Sequence, residues 1–232
     1  MTRTEQRTRL QERIAELAAR HMAEDGEDAE RAKHKAAAAL LGAAARAHDA
    51  LPDNEQLRDA LRLHLRSFGG PAHRAWLRGQ RRLALEWMER LQRFEPRLVG
   101  AILDASATPR AEVELELYAD SAKDVEMVLI DLGIRYRVDQ PDRAPRHVQQ
   151  RIGFFARPSD GEPQRSDAGT PVLLTIHDLV ALRRGSSARG AGRGGDPERH
   201  PVEQAGRADA AMLRRLLDDT TLDGPQAGAS DD

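Results

Sequence analysis

Residues 111–118 read Ala-Glu-Val-Glu-Leu-Glu-Leu-Tyr. Glu112, Glu114 and Glu116 alternate with Val113, Leu115 and Leu117, the period of a strand with one face buried. Three carboxylates then share the other face, next-but-one neighbours standing roughly 6–7 Å apart along the backbone. Like charges at that spacing repel unless water, cations or basic side chains compensate them. The face is therefore either a solvated sheet surface or the wall of a metal site.

What flanks this strand sets the fold class. Upstream, the chain reads as helices. Leu10, Ile14, Leu17 and Met22 fall close to one stripe, and Ala29 to Ala45 is alanine-rich. Asp53 with Gln56 has the form of a capping box, ahead of Leu57, Leu61, Leu65 and Phe68. Gly69-Gly70-Pro71 breaks that helix. Trp76, Leu83, Trp87 and Phe94, with Leu77, Ala84, Met88 and Leu91 beside them, predict a helix whose wide apolar face lies on the main core. Leu98 to Leu103 is an apolar run around Gly100. Downstream, Ser121 caps a helix with Asp124 at its third position, carrying Val125, Val128, Leu129 and Leu132 and ending at Gly133. Strands are expected at 134–138, 151–156 and 172–176.

These readings predict an α+β protein: a helical region over 1–95 packed on a small mixed sheet over 96–182. A tail over 183–232 follows, with an Arg/Gly-rich linker expected to be disordered and a short helix near 208–217.

Composition narrows the chemistry. The 232 residues carry a formal net charge of −2, which counts against nucleic acid as a partner. Cysteine is absent, so thiolate zinc sites and thiol nucleophiles are excluded. No apolar run reaches the roughly 18 residues of a membrane span, and Thr2 to Arg13 lacks a signal-peptide core. A cytoplasmic protein with no membrane partner is expected. The histidines show no metal-ligand spacing; His177 and Asp178, as strand neighbours, point to opposite faces. There is no Walker loop. Arg189 to Gly195 reads as a flexible linker or a short RNA-binding segment.

The order glycine, turn, acidic–apolar–acidic–apolar strand, helix resembles the nucleotidyltransferase-like fold. The matching residues are Gly100-Ala101 and Glu112-Val113-Glu114-Leu115, and the likeness covers about residues 75–180. Tyr118 to Glu126 also resembles a run found in a proteobacterial group of such proteins. The resemblance implies a magnesium ion held by Glu112 and Glu114, with Glu116 auxiliary, as the catalytic carboxylates. It implies a nucleoside triphosphate received at Gly100 and Ala101, with Lys123 neutralising charge. Ala101 stands where the family favours glycine or a small hydroxyl. The later strand, Pro171 to Asp178, has no acid before Asp178. These departures imply a weakened or lost active site. The alternative is a non-enzymatic regulatory protein that keeps the fold and contacts a protein partner.

Overall fold

The computed structural model describes residues 2–42, 51–139, 147–157, 169–184 and 199–219. It is a mixed α+β structure with nine α-helices and one five-stranded sheet among the described residues. The chain forms two compact units, Met1–His73 with Ser106–Arg110, and Arg74–Ala105 with Ala111–Asp232. The expected Arg/Gly linker, the run Arg189 to Gly195 and the chain from 220 onward lie outside the described residues.

The first unit is helical. α1 (Arg3–Arg20) opens with a reciprocal cap: Thr2 Oγ1 accepts the Glu5 N–H, and the Thr2 N–H donates to Glu5 Oε2. A π-helical turn, His21–Asp25, continues it to Gly26 at φ 66°. α2 (Ala29–Leu41) ends at Gly42, short of the expected Ala45; 43–50 lie outside the described residues. α3 (Asn54–Phe68) carries the expected Asp53/Gln56 capping box. Ile14, Ala18, Ala32, Ala36, Ala37 and Leu57 form the buried core. Small side chains on α2 allow close helix approach, and Leu10, Leu17 and Met22 close its rim. Lys33 is buried, its ammonium bound to Glu30 Oε1 at 2.6 Å and Asn54 Oδ1 at 3.1 Å. Arg110, from the turn before the glutamate strand, donates to the Gly26 carbonyl at 2.6 Å.

The second unit holds the sheet. α4 (Gly70–Arg90) restarts directly after the glycine break, with Pro71 in its first turn, and from Arg74 it belongs to this unit. A 3-10 turn, Gln92–Phe94, follows. The apolar run around Gly100 is split: β1 (Arg97–Val99) gives way to a short helix, α5 (Gly100–Asp104), with Gly100 at φ 74° making the joint. β2 (Val113–Tyr118) is the expected strand but begins at Val113, where its parallel ladder begins, so Glu112 lies just outside it. α6 (Ala122–Asp131) ends as Gly133 predicts. The Gly133 N–H returns to the Ile130 carbonyl and the Ile134 N–H to that of Leu129. That bond ties Ile134 to the helix, so β3 (Tyr136–Asp139) starts two residues later than expected. At the cap, Ser121 Oγ accepts the Lys123 N–H rather than completing a box with Asp124.

β4 (Val148–Ala156) and β5 (Thr170–His177) run longer than their apolar cores suggest because their ladder pairs flanking residues, Val148 with His177 and Ala156 with Thr170. The sheet order is β1-β2-β5-β4-β3; β2 and β5 are parallel and every other pair is antiparallel. One face is apolar throughout: Leu98, Val113, Leu115, Leu117, Ile152, Phe154, Val172, Leu174 and Ile176 are buried. Trp87 of α4 packs on it, its ring 4.5 Å from that of Phe154. Burying such side chains contributes about 1.5–3 kcal/mol each, which pins the register that turns the glutamates to the other side. After α7 (Leu179–Arg184) and α8 (Pro201–Gln204), α9 (Ala210–Asp218) starts later than residue 208. Asp209 is its cap, and Ala208 is taken by a β-bridge to Leu98. No described helix is long and apolar enough to cross a membrane.

Candidate functional site

Strand register places the sequence-predicted residues. Glu114 pairs with Val99 on one side and Leu173 on the other; Glu116 pairs with Arg97 and Thr175. Val99 is the last residue of β1, so Gly100 follows beside Glu114. The glutamate lies over the glycine: a Cβ added at Gly100 would stand 2.8 Å from Glu114 Cδ and closer still to Oε1. Only a residue without a side chain lets the backbone and this carboxylate approach so closely at positive φ. Ala101, next in α5, is half-buried. Lys123 is exposed in the first turn of α6, beyond the C-terminal end of β2. Gly100 and Glu112 sit at its N-terminal end, a strand length of roughly 17–20 Å away. The structure joins Gly100 with Glu114 and does not bring Lys123 to them.

Glu114 and Glu116 are half-buried, an environment between open water and a sealed core, while Glu112, just ahead of β2, is exposed. Burial pushes the Glu114 carboxyl above the ordinary carboxylate range, and Glu112, Asp104 and Glu116 add to the shift, while Arg151 opposes it. A carboxyl raised in the folded state favours folding most below its unfolded value near 4.5 and loses that contribution as pH rises through the folded value. Ionised Glu114 therefore costs stability at pH 7. Glu114→Gln is expected to raise the melting temperature at pH 7, with the advantage shrinking as pH falls toward 4. Calorimetric melts of both proteins across that range check it; a uniform offset at every pH counts against it.

The other end of the face is compensated. Glu116 Oε2 lies 2.9 Å from Arg207 Nε, its Oε1 accepts from Arg207 Nη2 at 3.3 Å, and the Tyr118 hydroxyl donates to Oε2 at 3.3 Å. His177 Nε2 is 3.7 Å from Glu116 Oε1. The His177 ring stacks between Tyr118 and His147, with centroids at 5.4 and 5.3 Å. Neither buried ring nitrogen has a hydrogen-bond partner among the described residues. Burial holds the imidazole below its ordinary value, His147 and Arg207 lower it further, and Glu116 and Asp178 pull the other way. His177 is thus neutral at pH 7. Sequence reading gives His177 no partner, since Asp178 as its strand neighbour points to the opposite face; the parallel register puts it beside Tyr118 and Glu116. Arg207 and Arg151 were missed. Arg207 carries no sequence signal for this position, because it reaches the sheet only through a bridge formed by the chain segment beyond the linker.

The donor set at the acidic end, Glu112 and Glu114 with Asp104 nearby, is all oxygen and suits a hard divalent cation in kind. Among the described residues no three His, Asp or Glu side chains stand together in a metal-holding arrangement. β5 supplies Leu173 and Thr175 beside the two glutamates, in agreement with the absence of an acid before Asp178. A cavity of about 310 Å³ lies where α4 ends and β1 and α9 begin, lined by Met88, Glu89, Pro96, Arg97 and Arg214; it includes neither Glu112 nor Glu114.

No family model, no curated protein and no solved structure matches the chain.

Proposed function

We propose that this chain is a nucleotidyltransferase-like protein that binds a nucleoside triphosphate with magnesium at Glu112 and Glu114, and whose transfer activity is weak or lost. The observation that carries the reading is the seat of the Glu114 carboxylate over Gly100. A glycine that brings main-chain N–H groups to phosphate and an acid that binds the phosphate's counter-cation must stand side by side, and here they do. The raised Glu114 carboxyl is also what a bound cation would relieve. Magnesium, when bound, orients the triphosphate and offsets its charge. Glu112 and Glu114 hold that ion, and the Gly100–Ala101 backbone faces the phosphates. Weakness follows from Leu173 and Thr175, which occupy the places beside the glutamates where a third carboxylate is needed.

The test is calorimetry of the full chain with ATP, GTP, CTP and UTP, each with magnesium. At least one is expected to bind, and the Glu112→Gln/Glu114→Gln double substitution to remove binding. Absence of heat with all four ends the proposal.

A second reading, a non-enzymatic protein that keeps the sheet and binds a protein partner, draws on the Arg207–Glu116 pair, which neutralises part of the face. Under it the same double substitution leaves partner binding intact.

A further inference from the structure

The two edges of the sheet differ. At the β1 edge, Leu98 and Ala208 exchange both main-chain hydrogen bonds, at 2.8 and 3.0 Å, so later chain covers part of it. β3 forms the other edge and pairs only with β4 among the described residues. Outward N–H and C=O groups on such a strand are a template for one more. Val138 faces the helix side of the sheet, because Tyr136, next but one to it, reaches Glu126 of α6 with its hydroxyl at 2.8 Å. α6 buries Val125 and Leu129 and leaves Met127 and Ile130 outside. Met127, Ile130, Leu132 at the helix cap and Val138 are each between 44 and 55% exposed. Single exposed apolar residues are ordinary; four beside an unpaired strand edge point to something that covers them.

Arg137 and Asp139 take the opposite face and are exposed. Asp139 pairs with Arg151, Arg151 with Thr175 and Thr175 with Glu116, so this is the glutamate side of the sheet. A guarded edge carries charge of one sign, which repels a second copy. Here the signs are opposite and two residues apart. A second copy laid antiparallel about Val138 sets Arg137 opposite Asp139 of that copy, and Asp139 opposite its Arg137. Directly opposed residues share a face, so both ion pairs form on the glutamate side and the two Val138 side chains meet on the helix side. A slip of one residue sets Arg137 against Val138 and loses both pairs.

We propose that this chain forms a two-fold homodimer by antiparallel pairing of β3 about Val138, with Met127, Ile130 and Leu132 of both copies covering the junction. The contact is self-complementary, as a two-fold axis requires. So short a strand pair holds no dimer alone, and the apolar side chains of α6 supply the remaining area. The proposal goes beyond the nucleotide reading and does not depend on it.

Sedimentation of the full chain over a concentration series is expected to show a reversible dimer. Arg137→Asp and Asp139→Arg each set like charges opposite one another at both positions, and each is expected to weaken the dimer about tenfold or more. Mixed in equal amounts, these two variants are expected to associate with each other as tightly as the parent, because every opposed pair again has opposite signs. Both positions are exposed, so thermal melts of the variants are expected to match the parent. The chain has no cysteine, so Val138→Cys introduces its only thiol. Opposed Cα atoms of an antiparallel pair lie about 4.5–5.5 Å apart, within disulfide range. Copper-phenanthroline is expected to link Val138→Cys into a covalent dimer and to leave Arg137→Cys, whose thiols stand out of register, unlinked. A parent that is monomeric at every concentration overturns the proposal and leaves the edge to a strand of another protein. A dimer indifferent to both charge changes overturns it, as does a mixture of the two variants that does not associate.

Discussion

Glu203→Ala is expected to cost about 3–5 kcal/mol of folding stability, the largest single loss foreseen for this chain. Glu203 and Arg81 are both almost fully buried and meet at 2.7 Å. Arg81 also donates from Nε to the Ile102 carbonyl and from Nη2 to that of Leu103, each at 3.0 Å. These carbonyls belong to α5, too short to satisfy them itself. Removing Glu203 leaves a guanidinium charge buried without its counter-ion. Removing Arg81 leaves a carboxylate and two carbonyls unpaired. Arg81→Met/Glu203→Leu is therefore expected to cost less than either single change, because it takes both charges out together. Urea unfolding of the three variants measures this; a loss below about 1 kcal/mol for Glu203→Ala refutes it. Total stability of a domain is about 5–15 kcal/mol, so the single variants approach the unfolding threshold. A functional consequence accompanies the structural one. The clamp holds the end of the helix whose first residue is Gly100, so the proposed nucleotide site predicts that a stable but loosened variant binds nucleotide less tightly than the parent.

That clamp shows where sequence reading stops. The glutamate strand, the capping box at Asp53, the C-terminal cap at Gly133 and the apolar stripe through Trp87 were legible because each is written in consecutive residues with a fixed period or offset. Gly100 and Glu114 were legible as parts; their contact depends on the antiparallel pairing of Val99 with Glu114, which no local pattern states. Lys123 looked close in sequence, but the length of β2 carries it to the far end. The parallel neighbour of β2 is β5, more than 50 residues on, and only that pairing sets His177 beside Tyr118. Arg81 on the long helix α4, and Glu203 and Arg207 on short polar segments, are charged residues, and a charged residue reads as solvated until the topology buries or pairs it. Non-local pairing decided each of these positions.

Gly100→Ala is the change that most directly tests whether glycine and carboxylate act together. Two costs add. An L-residue at φ 74° lies in the left-handed region, worth about 1–2 kcal/mol. Ala105, at φ 64°, shows that the other end of the same short helix holds an L-residue there, so the backbone can persist in the variant. The second cost is steric: the new methyl meets Glu114 Cδ at 2.8 Å, inside any real contact, and the carboxylate must swing away. Glu114 is long enough to move, so the protein is expected to fold, with a loss of about 1–3 kcal/mol in total. Under the proposed function nucleotide binding is expected to vanish, because the displaced carboxylate no longer stands beside the Gly100 backbone. Shortening the partner separates the two costs. In Gly100→Ala/Glu114→Ala the clash is gone and the left-handed strain remains, so the effect of Gly100→Ala on stability is smaller in that background than in the parent. Urea unfolding of the four proteins gives the coupling, expected at about 0.5–1.5 kcal/mol. Strict additivity means that the Glu114 carboxylate does not rest on Gly100 in solution, and the pairing that supports the nucleotide-binding reading then fails with it.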